Sequence, residues 1–87
     1  MNKEYHISVI GMGYVGFPLA LAFSKYYPVV GFDIKQDRIN ELKNNIDSNF
    51  EHDFVSNDNL FFSHTIHDIQ SSNIYIVTVP TPIKEDN

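Results

Sequence analysis

The stretch "ISVIGMGYVGFPLA", Ile7 to Ala20, decides the fold. A short apolar run stops at Gly11, glycine returns at Gly13 and Gly16, and Pro18 follows inside a second apolar run. A loop that only had to turn would use polar residues, so this one is shaped to let something approach the backbone. Before it, Tyr5–Ile10 is β-branched or aromatic at most positions and reads as a buried strand. After it, the chain is dense in Leu, Ala and Phe with no further glycine up to Pro28, which predicts a helix. Pro18 is tolerated there only in the first turn, where its missing N–H would have had no helical partner. Pro28 disfavours helical backbone in the residue before it, so the helix is expected to end near Tyr26–Tyr27.

Working outward, "VVGFDI" (Val29–Ile34) is a second short apolar strand closing on Asp33. "KQDRINELKNNI" places Ile39, Leu42 and Ile46 on one helical face. Asp47 to Asn59 is polar, with Phe50, Phe54 and Val55 as scattered anchors, and reads as a loop holding at most one helical turn. "LFFSH" (Leu60–His64) predicts a third strand, "IHDIQSS" a short helix, and "IYIVTV" (Ile74–Val79) a fourth strand. The prolines of "PTPIKEDN" end that strand. Strands alternating with helices imply a parallel sheet with right-handed crossovers. The expected fold class is therefore α/β: a partial Rossmann-type sheet of about four strands in the order 3-2-1-4, with flanking helices. Its ligand crevice would lie between the carboxyl ends of the first and fourth strands, at Gly11 and Pro80.

Composition bounds the function. The chain has 87 residues, enough for one small domain and short for a complete doubly wound domain of about six strands. Eleven acids outnumber six Lys and Arg, for a net charge of −5, which argues against a nucleic-acid or anionic-membrane partner. The absence of cysteine excludes disulfides, thiolate metal sites and a thiol nucleophile within these residues. The apolar run Val15–Phe23 is too short to span a bilayer, and "MNKEYHISVIG" lacks the pattern of a signal peptide, so a cytoplasmic location is expected.

Gly11-Met12-Gly13-Tyr14-Val15-Gly16 fits G-x-G-x-x-G, and Asp33 stands 20 residues beyond Gly13 (33 − 13). Each part has a physical task. Gly11 permits the tight turn, Gly13 lets a pyrophosphate reach backbone N–H groups, and Gly16 lets helix and strand pack closely. The positive end of the helix dipole favours phosphate charge. Asp33 would accept hydrogen bonds from ribose hydroxyls and repel a 2′-phosphate, favouring NAD over NADP, although Lys35 and Arg38 stand nearby. The plain alternative is a glycine-rich turn with a capping or solvated Asp33.

Beyond that fingerprint, "GMGYVGFPLA", "VVGFDIKQDRINEL" and "IYIVTVPTPI" together resemble the UDP-glucose/GDP-mannose dehydrogenase family, over about Tyr5 to Ile83. The wording looks most like the branch acting on UDP-N-acetylglucosamine or -galactosamine in capsule and O-antigen synthesis. The resemblance implies NAD-dependent oxidation of a nucleotide sugar's C6 alcohol to a carboxylate in two hydride transfers. It implies that Gly11, Met12, Gly13, Tyr14, Val15 and Gly16 form the pyrophosphate loop, and that Asp33 and Arg38 hold the adenosine ribose. Val79, Pro80, Thr81, Pro82 and Ile83 would line the cofactor, with Thr81 the leading side-chain contact. Arg38 has a simpler alternative as an exposed helix residue pairing with Asp37 or Glu41, and Thr81 as a turn residue.

The family's nucleophilic cysteine, catalytic lysine, sugar-binding loops and second Rossmann-like domain fall further along its pattern than Asn87. The expectation is thus a partial N-terminal NAD-binding domain over residues 1–87, with no catalytic residue of its own and no substrate or C-terminal domain. A nucleotide sugar would be a partner only of the longer protein, and this chain alone would not turn it over. Two rival readings are a non-catalytic nucleotide-binding or interaction module and another NAD-dependent Rossmann dehydrogenase.

A strand edge or sheet face left uncovered in such a partial domain predicts self-association through "IYIVTV". His64 and His67, with His52 beside Glu51 and Asp53, have no third ligand at a recognised metal spacing. Phe17, Phe23, Phe61, Phe62 and Tyr75 read as core or as surface left uncovered. Asp37, Glu41, Asp47, Glu51, Asp53 and Asp58 read as a solvated face.

Overall fold

The computed structural model describes residues 5–44 and 58–78. Within them the chain forms β1 (Ile7–Ile10), α1 (Gly16–Ser24), β2 (Val29–Phe32), α2 (Gln36–Lys43), β3 (Leu60–Ser63), a 3₁₀ turn (Ile66–Ile69) and β4 (Ile74–Val77). The strands lie in the expected order, β3-β2-β1-β4, and every neighbouring pair is parallel.

Register explains where the core sits. Ile7 aligns with Val29 and Ile74, and Val29 with Leu60. Aligned residues of a sheet share a face, and the face alternates along each strand. Ile7, Val9, Val29, Leu60 and Phe62 therefore point together, and they pack with Met12, Phe17, Ala20, Ile39 and Leu42 into one buried cluster. Ile39 and Leu42 are fully buried, as the helical spacing of α2 predicts, and each such side chain contributes about 1.5–3 kcal/mol. Ile46, the third member of that stripe, lies outside the described residues.

The opposite face is less completely covered. Ser8, Phe61 and Tyr75 share it through Val30 in β2. The segment after β3 crosses beneath, where the Ser8 and Ser72 hydroxyls meet at 2.5 Å and Tyr75 Oη donates to the Ile69 carbonyl at 2.6 Å.

Several elements are shorter than the apolar runs suggest. α1 ends at Ser24 because the Lys25 and Tyr26 N–H groups tighten onto the Ala22 and Phe23 carbonyls, three residues back. The Asn59 amide then donates to the Ser24 carbonyl at 3.0 Å, a bond to a helix-end acceptor. Pro18 does stand in the first turn of α1. The segment expected as a short helix is one 3₁₀ turn, preceded by a local polar knot: the Ser63 hydroxyl donates to Asp68 at 2.6 Å and accepts the Thr65 N–H at 2.9 Å. Such side-chain bonds compete with helix extension. Apart from Asp58 and Asn59, the loop expected over Asp47–Asn59 lies outside the described residues, and so do Val79, Pro80, Thr81, Pro82 and Ile83.

Candidate functional site

The site grows from the carboxyl end of β1. Gly11 has φ 104°, a left-handed conformation that favours glycine, and its N–H donates to the Phe32 carbonyl at 2.7 Å. That bond carries the β1–β2 ladder one step past the strand and fixes where the loop begins. Gly16 opens α1 directly against it. A Cβ there would fall 1.6 Å from the Gly11 carbonyl oxygen and 2.5 Å from Thr78 Oγ1, so backbone meets backbone with no room for a side chain. Gly13 is the reverse case, with nothing within 4 Å of the position a Cβ would take.

Between these glycines, Met12 is tied into the fold on all sides. Its side chain is fully buried, with Sδ over Gly31, where a Cβ would lie only 2.8 Å away. Its N–H donates to Asp33 Oδ2 at 2.9 Å, and its carbonyl accepts from Arg38 Nε at 2.6 Å. Met12 is thus the loop's anchor, and its N–H faces the acid.

Asp33 is half-buried at the end of β2 and accepts a second backbone bond, from Lys35 N–H to Oδ1 at 3.0 Å. The acid therefore shapes the turn into α2, as the plainer reading of a local structural Asp expects. Each carboxylate oxygen has a further lone pair, so these bonds leave acceptor capacity for a hydroxyl.

Arg38 is not an exposed helix residue. Its side chain is only 10% accessible, and its guanidinium pairs with Glu41 Oε1 at 3.2 Å and stands 5.5 Å from the Phe17 ring centre. Pairing with Glu41 follows from helical spacing, but the bond to the Met12 carbonyl required the fold.

The N-terminus of α1 is the chemically open end of this arrangement. Val15 at its cap provides no side-chain hydrogen bond, and its first turn contains no acid. Backbone N–H groups and the positive helix end are therefore what α1 offers an anion. Tyr14 and Val15 are exposed beside it. The structure brings Gly11, Met12, Gly13, Tyr14, Val15, Gly16, Asp33 and Arg38 together at the carboxyl ends of β1 and β2.

Thr78 was missed by sequence reasoning. Its hydroxyl lies 3.0 Å from both the Ile10 and Gly11 carbonyl oxygens, but a threonine at the end of an apolar strand carries no spacing signal. His64 and His67 are exposed, and among the described residues no group of three His, Cys, Asp or Glu is placed to hold a metal ion. His52 lies outside them.

Against this geometry, comparison with known proteins is specific. The model of the UDP-glucose/GDP-mannose dehydrogenase family, NAD binding domain, matches residues 5–87. A UDP-N-acetyl-D-glucosamine 6-dehydrogenase of Pseudomonas aeruginosa is 49% identical over 86 residues, covering 95% of this chain and 20% of that protein. The enzyme of the same name from Salmonella typhi is 48% identical over 83 residues, covering 92% of this chain and 20% of its own length. In three dimensions, a UDP-D-ManNAc dehydrogenase of Pyrococcus horikoshii superposes with a TM-score of 0.78 at 26% identity, over 94% of this chain and 22% of that one. The chain spans about a fifth of the length of the curated relatives it matches.

Proposed function

The chain belongs to the UDP-glucose/GDP-mannose dehydrogenase family, matching its NAD binding domain, and we propose that the site built around Met12 holds the adenosine diphosphate half of NAD. In this reading Gly13, Tyr14, Val15 and Gly16 bring the backbone of the α1 N-terminus to the pyrophosphate. Gly11 and Met12 set the path of the loop, and Asp33 accepts the ribose hydroxyls. Arg38 acts from beneath, through Met12, as well as beside the ribose. Val79, Pro80, Thr81 and Pro82 complete the cofactor wall in the same proposal.

The observation that carries it is the pairing of an uncapped, acid-free helix N-terminus, packed through Gly16 on the Gly11 carbonyl, with a strand-end acid bonded to the next residue, Met12. These residues fit the cofactor: the open space at Gly13 admits a phosphate, and the Asp33 charge disfavours a 2′-phosphate.

Substrate oxidation is proposed for the longer protein that the relatives' length implies, with residues 1–87 supplying the adenosine-binding part of its cofactor domain. NAD supplies the hydride acceptor when bound. The substrate proposed is a UDP-N-acetylhexosamine, oxidised at C6 to the carboxylate for polysaccharide-precursor synthesis, and the two relatives named for UDP-N-acetyl-D-glucosamine oxidation support that choice. No described helix is long and apolar enough to cross a membrane. We place the protein in the cytoplasm, with no nucleic-acid partner in view of its net charge of −5.

Isothermal titration with ADP-ribose tests the site directly. Asp33→Ala removes a charged acceptor from both the ribose and the loop and is expected to weaken binding about tenfold or more. Equal affinities for the variant and the parent chain would remove Asp33 from the site.

A further inference from the structure

We propose that Thr78, at the end of β4, is a positioning residue for the cofactor loop: its hydroxyl locks the Gly11–Met12 peptide unit in the orientation that dinucleotide binding needs. The inference rests on the cofactor reading above and adds a residue and a strand to it. A peptide unit has two polar ends. In this one the Met12 N–H donates to Asp33 Oδ2 at 2.9 Å, and the Gly11 carbonyl lies 3.0 Å from the Thr78 hydroxyl oxygen. One end is thus held from β2 and the other from β4, on opposite sides of β1.

Such a lock matters because Gly11 has no side chain to limit its backbone. A glycine at φ 104° can exchange that conformation for several others at little steric cost. If the unit rotated, a carbonyl oxygen could face the site where the phosphate has to bind. A carbonyl dipole turned toward an anion opposes binding, whereas N–H groups turned toward it favour binding.

The placement of Thr78 is well defined. Its own N–H donates to the Ile10 carbonyl at 2.8 Å, continuing the β1–β4 ladder, so the backbone is fixed before the side chain acts. The hydroxyl oxygen then sits between the Ile10 and Gly11 carbonyls, 3.0 Å from each, and 2.5 Å from where a Cβ on Gly16 would be. It fills the notch where β1, β4 and α1 meet. A methyl group in the same place would be too close, since carbon–oxygen contacts ordinarily settle at about 3.3–3.6 Å. Thr78→Val therefore removes a donor and also pushes on the loop, Thr78→Ala removes the donor alone, and Thr78→Ser keeps it.

The test is ADP-ribose titration of the parent chain and these three variants, with amide hydrogen exchange of Gly11–Val15 in the unliganded protein. Loss of one neutral hydrogen bond corresponds to a weakening of about three- to tenfold, expected for both Thr78→Ala and Thr78→Val. Thr78→Ser is expected to bind within about twofold of the parent chain, because its hydroxyl can make the same bond. Loop exchange should quicken in the Ala and Val variants and remain unchanged in the Ser variant. Parent-level affinity in a folded Thr78→Ala variant would overturn the assignment while leaving the cofactor site intact. A parent chain that binds no ADP-ribose would instead overturn the cofactor reading, and this role with it.

Discussion

A methyl group added at Gly16 would overlap the Gly11 carbonyl oxygen at 1.6 Å, whereas one added at Gly13 would meet nothing within 4 Å. The two glycines of one motif therefore answer to different demands, and substitution separates them. Gly16→Ala is expected to destabilise the fold by about 3 kcal/mol or more, because the obstacle is backbone that cannot rotate away. Gly13→Ala should leave the urea midpoint nearly unchanged while reducing ADP-ribose affinity about tenfold or more, since in the proposed cofactor site the methyl would stand where the phosphate approaches. Equal losses of stability in the two variants would contradict this division. The placement of the glycines and Asp33 around one loop was legible in the sequence because it depends on spacing along one continuous strand, loop, helix and strand. Thr78 was not, because its partner Gly11 is 67 residues away and only the fold brings them together.

At the scale of elements, the strands and helices were legible as apolar runs broken by glycine and proline, and their order follows from parallel pairing. Their ends were less so. Backbone bonds three residues back close α1, Asn59 satisfies its end, and the Ser63–Asp68 bond limits the following turn, none of which an apolar pattern encodes. The joint between the loop and β2 shows how tightly elements can be matched without any motif marking it. Met12 crosses over Gly31, and a Cβ on Gly31 would lie 2.8 Å from Met12 Sδ and 3.1 Å from the Phe62 ring. Gly31→Ala is expected to cost about 1–2 kcal/mol, the steric penalty being partly offset by a less flexible unfolded chain. In a Met12→Ala background the same change should cost distinctly less, which a double-mutant cycle by urea denaturation would reveal. Strict additivity would show that the two residues do not compete for this space.

For the whole molecule, the two faces of the sheet are unequal. One carries α1, α2 and the buried cluster, while Phe61, Tyr75 and Val77 remain 52%, 48% and 66% accessible. Among the described residues β4 is an edge strand, and an apolar edge readily pairs with another. The chain is therefore expected to self-associate, its light-scattering mass rising with concentration, and Tyr75→Lys with Val77→Lys should return it to a monomer. A monomer at every concentration would refute this. The order of the strands has a further, kinetic consequence. β1 is made early in the chain yet lies inside the sheet, and the Ile7–Ile74 pairing on its far side closes a long stretch of polypeptide. Pairings so distant in sequence slow folding, because the chain loses entropy before the contact stabilises it. Since β4 also brings the hydroxyl proposed to hold Gly11, the proposed dinucleotide site would be among the last features completed as the chain folds. A chain caught before β4 docks would possess the full glycine motif and still lack a formed receptor for its ligand.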